Sequence, residues 1–533
     1  MNGRAYTQFS TRQTAQSESI PGDEQVQNNA GGYAYQLDDW TAFERFLILG
    51  TEGGSYYVTE KKLTKENALR TMKVIAEDGL KAVDMIVKVS DNGLAPKNDP
   101  AIFALALAAS AADPATRVAA LSALPRVCRI PTHLFHFLTY VKQFRGFGRG
   151  LKHAVARWYN DMPVEKLAYE VVKYQQRDGW SNADMLRLSH PKTSDTSRNM
   201  LYKWIVDGYG EVLKLEEADG WREAFPRIST GFEDAKRNDN SLLYLIKEFN
   251  LSREMVPTEA LTHPDVWEAL LQKMPFTAMI RNLGNMSKVG LLKPLSDASK
   301  LIVERLHDQE AIRKARIHPV AVLIAMKTYS NGHGVKGSGE WTPVPAVTAA
   351  LDDAFYLAFK SLEPTGKRLL FGVDVSGSMG SPCGGLPITC AEGAAAMALA
   401  CAKSEHEYYI MGFAHEFIDL GITSRMTLNE ALTKTRDGNF GMTDCALPML
   451  WAQHQKVKVD AFIVITDNET WAGSVHPSQA LTMYRQWSGL PAKQVVIGMT
   501  ASNFSIAQPD DPLALDVCGF DTSVPQAIGA FLK

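Results

Sequence analysis

Two patterns of hydrophobic and polar positions divide the chain. From about Tyr33 to Lys360, apolar residues recur at three- and four-residue spacing, the signature of successive amphipathic helices. In LTKENALRTMKVIAEDG, Leu69, Met72 and Ile75 share a helical face, and Gly79 is placed to cap its end. Asp99–Pro100 and Asp113–Pro114 each open a helix, with proline in the turn that tolerates it. The same spacing predicts helices over Pro163–Arg177, Asn182–Ser189, Asp265–Lys273, Asp297–Leu306 and His318–Tyr329, with no β-alternation between them. Helix pairs joined by short turns point to an α-solenoid. No period can be fixed, so a compact helical domain also fits.

After EPTGKR (Glu363–Arg368) short apolar runs alternate with helical segments. Leu369–Val375, Tyr408–Ala414, Ala461–Thr466 and Val495–Met499 read as buried strands. Thr389–Lys403, Leu428–Thr433, Cys445–His454 and Pro477–Trp487 read as helices between them, which predicts a mostly parallel α/β sheet. Residues 1–32 carry Gln, Ser, Thr, Asn and Gly with little apolar periodicity and read as a mobile tail. The predicted organisation is therefore a tail at 1–32, a helical domain at 33–360 and an α/β domain at 361–533.

Composition adds a charge asymmetry. The net charge of the chain is −3, but residues 361–533 carry −6 and residues 1–360 carry +3. The front part, residues 1–360, is the expected host for a basic surface. Six cysteines in 533 residues, none in a CxxC pair, exclude a disulfide scaffold and give no zinc signature. No apolar run reaches the roughly 18–20 residues of a membrane span, so the expected setting is soluble and cytoplasmic.

The first candidate chemistry lies where strand Leu369–Val375 runs into DVSGSMG. Asp374, Ser376 and Ser378 follow at i, i+2 and i+4, at the sheet edge where open α/β folds bind ligands. Thr443 in GMTDCALP and Asp467 at the end of AFIVIT belong to the same edge. Carboxylates and hydroxyls form an all-oxygen set suited to a hard divalent cation such as Mg²⁺. A Ser-rich loop capping a helix is the plain alternative for DxSxS alone. The combined pattern resembles the metal-ion-dependent adhesion site of von Willebrand factor A domains, which implies Asp374, Ser376, Ser378, Thr443 and Asp467 as its ligands. A nucleotide loop is the competing reading, but the G-x-G-x-x-G and Walker spacings are missing. His415 and Glu469 lie near strand ends, where hydrogen bonding or solvation accounts for them better than catalysis.

The second candidate is a basic segment. From Pro114 to Asn160 there is no acidic residue, against eight Lys and Arg and three His. Lys142, Arg145, Arg149 and Lys152 would form one stripe if helical, although Gly146, Gly148 and Gly150 weaken that helix. Interleaved aromatics can stack on bases or fill a core, and core is the more common fate. Downstream, in KYQQRDGWSNADMLRLSHP, Lys173 and Arg177 read as helix neighbours, Gly179 as a cap, and Ser181 with Asp184 as a capping box. A helical hairpin there would bring Lys173, Arg177 and His190 to one patch. Cationic last turns complementing helix dipoles are the alternative.

Several longer blocks carry a resemblance. RFLILGTEGGSYYVTEKKLT (Arg45–Thr64), KYQQRDGW, RLSHPK, ARIHPVAVLIAMKTY, EPTGKRLLFGVDVSGSM, GMTDCALPM and FIVITDNET together resemble the Ro autoantigen (TROVE) family, and in general likeness a bacterial member. The resemblance implies a ring of α-helical HEAT-like repeats closed by a von Willebrand factor A domain, without catalytic residues. It implies a monomer that binds Y RNA on its outer surface through Lys173, Arg177 and His190. It also implies that single-stranded 3′ ends of misfolded or precursor non-coding RNA enter a central hole. Charge alone nominates Lys142, Arg145, Arg149 and Lys152 as hole-lining residues. Implied roles are RNA quality control, processing and stress survival, with a 3′-to-5′ exoribonuclease such as polynucleotide phosphorylase as partner. The rivals are a metal-dependent protein-interaction scaffold and a metal nuclease, and the latter wants more clustered carboxylates than Asp374 and Asp467 supply.

Overall fold

The apolar runs of the second half form a six-stranded sheet. Its strands are β5 (Arg368–Asp374), β6 (Glu407–Phe413), β7 (Phe417–Asp419), β8 (Ala461–Thr466), β9 (Lys493–Gly498) and β11 (Ala514–Cys518), in the order β11-β9-β8-β5-β6-β7. All neighbours run parallel except β6 and β7. Every residue of β8 is buried, as a central strand covered on both faces requires. Helices Leu447–His454 and Pro477–Ser488 cover one side, packing Met449, Leu481 and Tyr484 against Leu370 and Phe462. Helix Cys390–Ala402 is apolar around its whole circumference and buried throughout, with a capping box between Thr389 and Glu392.

The structure, a computed structural model, describes residues 13–50, 68–214, 225–237, 241–334, 339–358, 364–383, 386–403, 405–435, 441–519, 521 and 523–533. It divides the chain into two units, one of residues 1–62 with 359–533 and one of residues 63–358. Residues 1–12 of the expected tail, Thr51–Thr64 of the first family-like block and the boundary expected at 360 lie outside the described residues.

The tail expected at 1–32 is corrected over its described part. Residues 13–32 are ordered on the α/β unit. Strands β1 (Gln25–Gln27) and β2 (Tyr33–Gln36) pair with each other, and β2 pairs with β10 (Phe504–Ser505). Thr14, Gln16, Ile20 and Asn28 are buried. The hydrophobic pattern could not reveal this segment, because buried amide side chains rather than an apolar stripe attach it. The domain start expected at Tyr33 shifts for the same reason. Helix α1 (Asp39–Leu49) also belongs to the α/β unit, and Nη2 of its fully buried Arg45 donates to both carboxylate oxygens of Asp516 at 2.6 and 2.5 Å.

The helical unit begins, within the described residues, with α2 (Leu69–Glu77), α3 (Gly79–Asn92), α4 (Asp99–Ala108), α5 (Pro114–Val127), α6 (Pro131–Phe144), α7 (Arg149–Asp161), α8 (Val164–Lys173) and α9 (Asn182–Ser189). Helix α3 packs on α5, α4 on α6, α5 on α7 and α7 on α9, the next-but-one contacts of stacked helix pairs. Asp113 caps α5 through Thr116 N–H at 2.7 Å. Gly79 is not the C-cap expected. It is the first residue of α3, where a Cβ would stand 2.0 Å from Thr116 Oγ1, so glycine allows α3 and α5 to approach. Further helices include Pro264–Leu271, Asp297–Leu306 and Pro319–Ser330. No described helix is long and apolar enough to cross a membrane.

Candidate metal centre and cationic surface

Asp374 is the last residue of β5, and β8, ending one residue before Asp467, is its hydrogen-bonded neighbour. This register puts two carboxylates at one sheet edge. Asp374 Oδ1 accepts Ser376 N–H at 3.0 Å, which turns the loop back and brings Ser376 Oγ within 3.1 Å of Ser378 Oγ. Thr443 reaches the same edge because its carbonyl accepts the N–H groups of Trp471 and Ala472, both at 3.1 Å. Asp374, Ser376, Ser378, Thr443 and Asp467 are all buried.

The donor set fits a hard cation on two counts. Thr443 Oγ1 and Asp467 Oδ2 are buried oxygens with no hydrogen-bond partner, a costly state that a cation relieves. Burial pushes the Asp374 carboxyl up to about 7; nearby Asp467 adds to the rise, and the hydroxyls of Ser376 and Thr466 oppose it. Burial also raises Asp467, against the Glu469 N–H and the Ser378 hydroxyl. Two carboxylates buried together call for a positive charge between them. Asp374, Ser376, Ser378, Thr443 and Asp467 are the residues that can hold it, and all are oxygen donors. Glu469, outside this set, accepts hydrogen bonds from Asn29 and Ala30.

The expected stripe of Lys142, Arg145, Arg149 and Lys152 is broken. Helix α6 stops at Phe144, Arg145 is extended at φ −159°, and α7 starts at Arg149, so Gly146 and Gly148 fall in a loop. Arg145 donates to the Ala109 carbonyl at 2.8 Å and serves the fold. Lys142 and Arg149 are exposed and Lys152 half-buried. Among the described residues, no hydrogen bond or ion pair engages these three. Lys142 Nζ stands 5.9 Å from the Trp180 ring, which meets Phe147 edge-on at 5.6 Å. Of the interleaved aromatics, Phe135, Phe137, Trp158 and Tyr159 are core.

The helix expected over Pro163–Arg177 ends at Lys173. Beyond it, β3 (Gln176–Arg177) and β4 (Trp180–Ser181) form a hairpin whose turn is Asp178–Gly179, at φ 53° and 78°. Asp-Gly is the favoured pair for such a two-residue turn. Gly179 is thus a turn residue rather than a helix cap, and Lys173 and Arg177 are not helix neighbours. Arg177 is exposed on β3, and Asp178 pairs with both Arg177, at 3.8 Å, and His136 of α6. Lys173 lies over Tyr169 and Tyr174 at 5.4 and 5.2 Å. Burial works to lower its pKa, but both tyrosines and Glu254 outweigh it and hold the value above that of ordinary lysine. His190 is exposed and caps α9 in the left-handed region at φ 47°. The capping box of Ser181 and Asp184 forms as read from sequence.

Residues 26–251 and 247–331 match the TROVE domain, and residues 368–532 match the Ro60 vWA domain. The chain belongs to the TROVE family. It is 42% identical over 517 residues to RNA-binding protein RO60 of Deinococcus radiodurans, covering 96% of each chain. It is 36% identical over 584 residues to RNA-binding protein RO60 of Caenorhabditis elegans, covering 96% of this chain and 90% of the relative. The crystal structure of Deinococcus radiodurans RO (RSR) protein superposes with a TM-score of 0.70 at 42% identity, covering 93% of this chain and 99% of the other. All the cationic candidates fall inside the TROVE match and all five oxygen donors inside the Ro60 vWA match.

Two contributors within this TROVE member escaped the sequence reading. Thr466 donates its hydroxyl proton to Asp374 Oδ2 at 2.6 Å, although threonine at the end of an apolar run reads as a strand residue. Gln16 touches Asp444 and Thr470 from a segment read as a tail, and no local pattern marks it.

Proposed function

We propose that the chain is an RNA-binding protein without catalytic activity. Its outer surface takes small structured Y RNA through Lys173, Arg177 and His190. Lys142, Arg149 and Lys152 contact single-stranded 3′ ends of misfolded or precursor non-coding RNA, in a hole too narrow for a duplex. The observation that carries this reading is the acid-free segment Pro114–Asn160, in which Arg126 pairs with Asp91 but no described carboxylate pairs with Lys142, Arg149 or Lys152. A merely solvated face mixes both signs, whereas cations left free are what phosphate contact requires. The names of the two relatives, RNA-binding protein RO60, support the same reading.

In this account Asp374, Ser376, Ser378, Thr443 and Asp467 hold a divalent cation, with Mg²⁺ the best match to the oxygen donors. When bound, it supplies positive charge and an open coordination position. The setting is cytoplasmic RNA quality control, processing and stress survival by a monomer, with a 3′-to-5′ exoribonuclease such as polynucleotide phosphorylase tethered through Y RNA.

The test is crosslinking and sequencing of RNA bound in cells by the intact protein and by the Lys173→Ala/Arg177→Ala variant. The expected result is loss of structured small RNA and retention of 3′-ended single strands. Absence of RNA from the intact protein overturns the proposal.

A further inference from the structure

The N-terminal segment crosses the loops that carry Thr443 and Asp467, and it holds them with side chains. Gln16 is fully buried there. Its Nε2 donates to Asp444 Oδ1 and to the Val475 carbonyl, both at 2.7 Å, and its Oε1 accepts from the Thr470 hydroxyl. Its backbone N–H donates to the Gly473 carbonyl at 2.9 Å. Farther along, Asn28 Nδ2 donates to the Thr470 carbonyl at 2.7 Å. Asn29 Nδ2 and the Ala30 N–H donate to the two oxygens of the Glu469 carboxylate at 2.6 and 3.1 Å. Asp444 directly follows Thr443, and Glu469 and Thr470 closely follow Asp467.

Two glycines show that the fit is built. A Cβ on Gly32 would stand 2.0 Å from the Thr470 carbonyl oxygen. One on Gly473 would stand 2.2 Å from Gln16 Nε2 and 2.5 Å from Asp444 Oδ1. Substituting either glycine would push the strap off the loops.

Five oxygen donors on three loops bind an ion well only if the loops are already in place, since ordering them on binding subtracts from affinity. Thr443 Oγ1 and Asp467 Oδ2 make no hydrogen bond of their own to fix them. We propose that residues 13–32 are a positioning element of the cation site. Gln16 ties the Thr443 loop to the Asp467 loop, and docking of the strap and binding of the cation favour each other. This inference rests on the cation reading given under Proposed function. The coupling is reciprocal: the factor the strap adds to cation affinity is the factor the cation adds to strap docking.

The test titrates Mn²⁺ and Mg²⁺ calorimetrically into the full chain, as wild type, Asp374→Ala, Gln16→Ala, Asn29→Ala, Asp444→Ala and the Gln16→Ala/Asp444→Ala double variant. Hydrogen exchange at the amides of Gln16, Ala30 and Gly32 is followed with and without Mn²⁺. Gln16→Ala is expected to weaken Mn²⁺ binding roughly tenfold, within the usual span of coupling between sites. Asn29→Ala, at an exposed residue that donates one bond to Glu469, is expected to weaken it by a smaller factor. Gln16→Ala and Asp444→Ala are expected to be non-additive, because they remove the same bond. Mn²⁺ should slow exchange of the strap amides in wild type and leave it unchanged in Asp374→Ala. A purely structural role for the strap moves neither the affinity of the folded protein nor its Mn²⁺-dependent protection. If wild type binds Mn²⁺ while Gln16→Ala and Asn29→Ala bind it equally well, the strap proposal falls and the cation reading stands. If wild type binds neither ion, the cation reading itself falls and the strap proposal with it.

Discussion

Thr466 and Asp374 sit on adjacent parallel strands and share a hydrogen bond of 2.6 Å, from the threonine hydroxyl to Asp374 Oδ2. The bond occupies one oxygen of a fully buried carboxylate and fixes its rotamer. Thr466→Val keeps the shape and removes the proton donor, leaving that oxygen buried without a partner. Denaturant unfolding in the presence of a chelator should show a loss of about 1–3 kcal/mol. Added Mg²⁺ should recover part of it.

The hairpin turn at Asp178–Gly179 positions Arg177. Gly179 has φ 78°, where a β-branched side chain is strained. Gly179→Val should therefore lower stability by more than about 1 kcal/mol and weaken structured-RNA binding as Arg177 is displaced. Gly179→Asn, which tolerates the left-handed region, should retain most of both in melting and gel-shift measurements.

Arg145 and Arg149 lie in one basic segment but do different work. Arg145 donates to the Ala109 carbonyl, so Arg145→Ala should destabilise the fold by about 1–2 kcal/mol. Arg149 is exposed at the start of α7, and Arg149→Ala should shift stability by less than about 0.5 kcal/mol while weakening single-stranded RNA binding. Thermal melts and filter binding on the two variants separate these effects.

His133 lies in the same acid-free segment with its Nδ1 buried and unpartnered. Burial lowers its pKa to about 4, with Arg129 and His136 adding to the effect. The folded state therefore resists protonation that the unfolded chain accepts near 6.5. Stability is complete above the unfolded value and falls as pH drops toward about 4, by up to roughly 3 kcal/mol. His133→Phe should remove this component, flattening the acid limb of a stability profile between pH 6.5 and 4.

The buried strands were legible because their apolar runs are short and sharply bounded. Ala461–Thr466 matches β8 residue for residue, and helices Asn182–Ser189 and Asp297–Leu306 match equally. The five oxygen donors could be grouped because each lies at a strand end or a loop of one edge. What could not be read was held by polar contacts or local turn chemistry. Gln16 and Asn28 are buried by hydrogen bonding, which hydrophobic spacing does not register. The sequence from Tyr174 to Arg177 suits a helix, yet Asp178–Gly179 turns it into a hairpin. Gly146 and Gly148 likewise end the cationic stripe that the spacing of Lys142 to Lys152 suggested.

The central claim, that cations on the helical unit hold RNA through its phosphates, is tested most directly by the salt dependence of binding. Affinity for a stem-loop Y-type RNA is measured at several salt concentrations for the wild type and for Lys173→Ala/Arg177→Ala. The account predicts a steep linear fall of log K with log salt in the wild type. In the double variant it predicts weaker binding and a slope shallower by roughly 1.5–2, about one unit per lost phosphate contact. A wild type that ignores the RNA at low salt, or a double variant with unchanged affinity and slope, would contradict it.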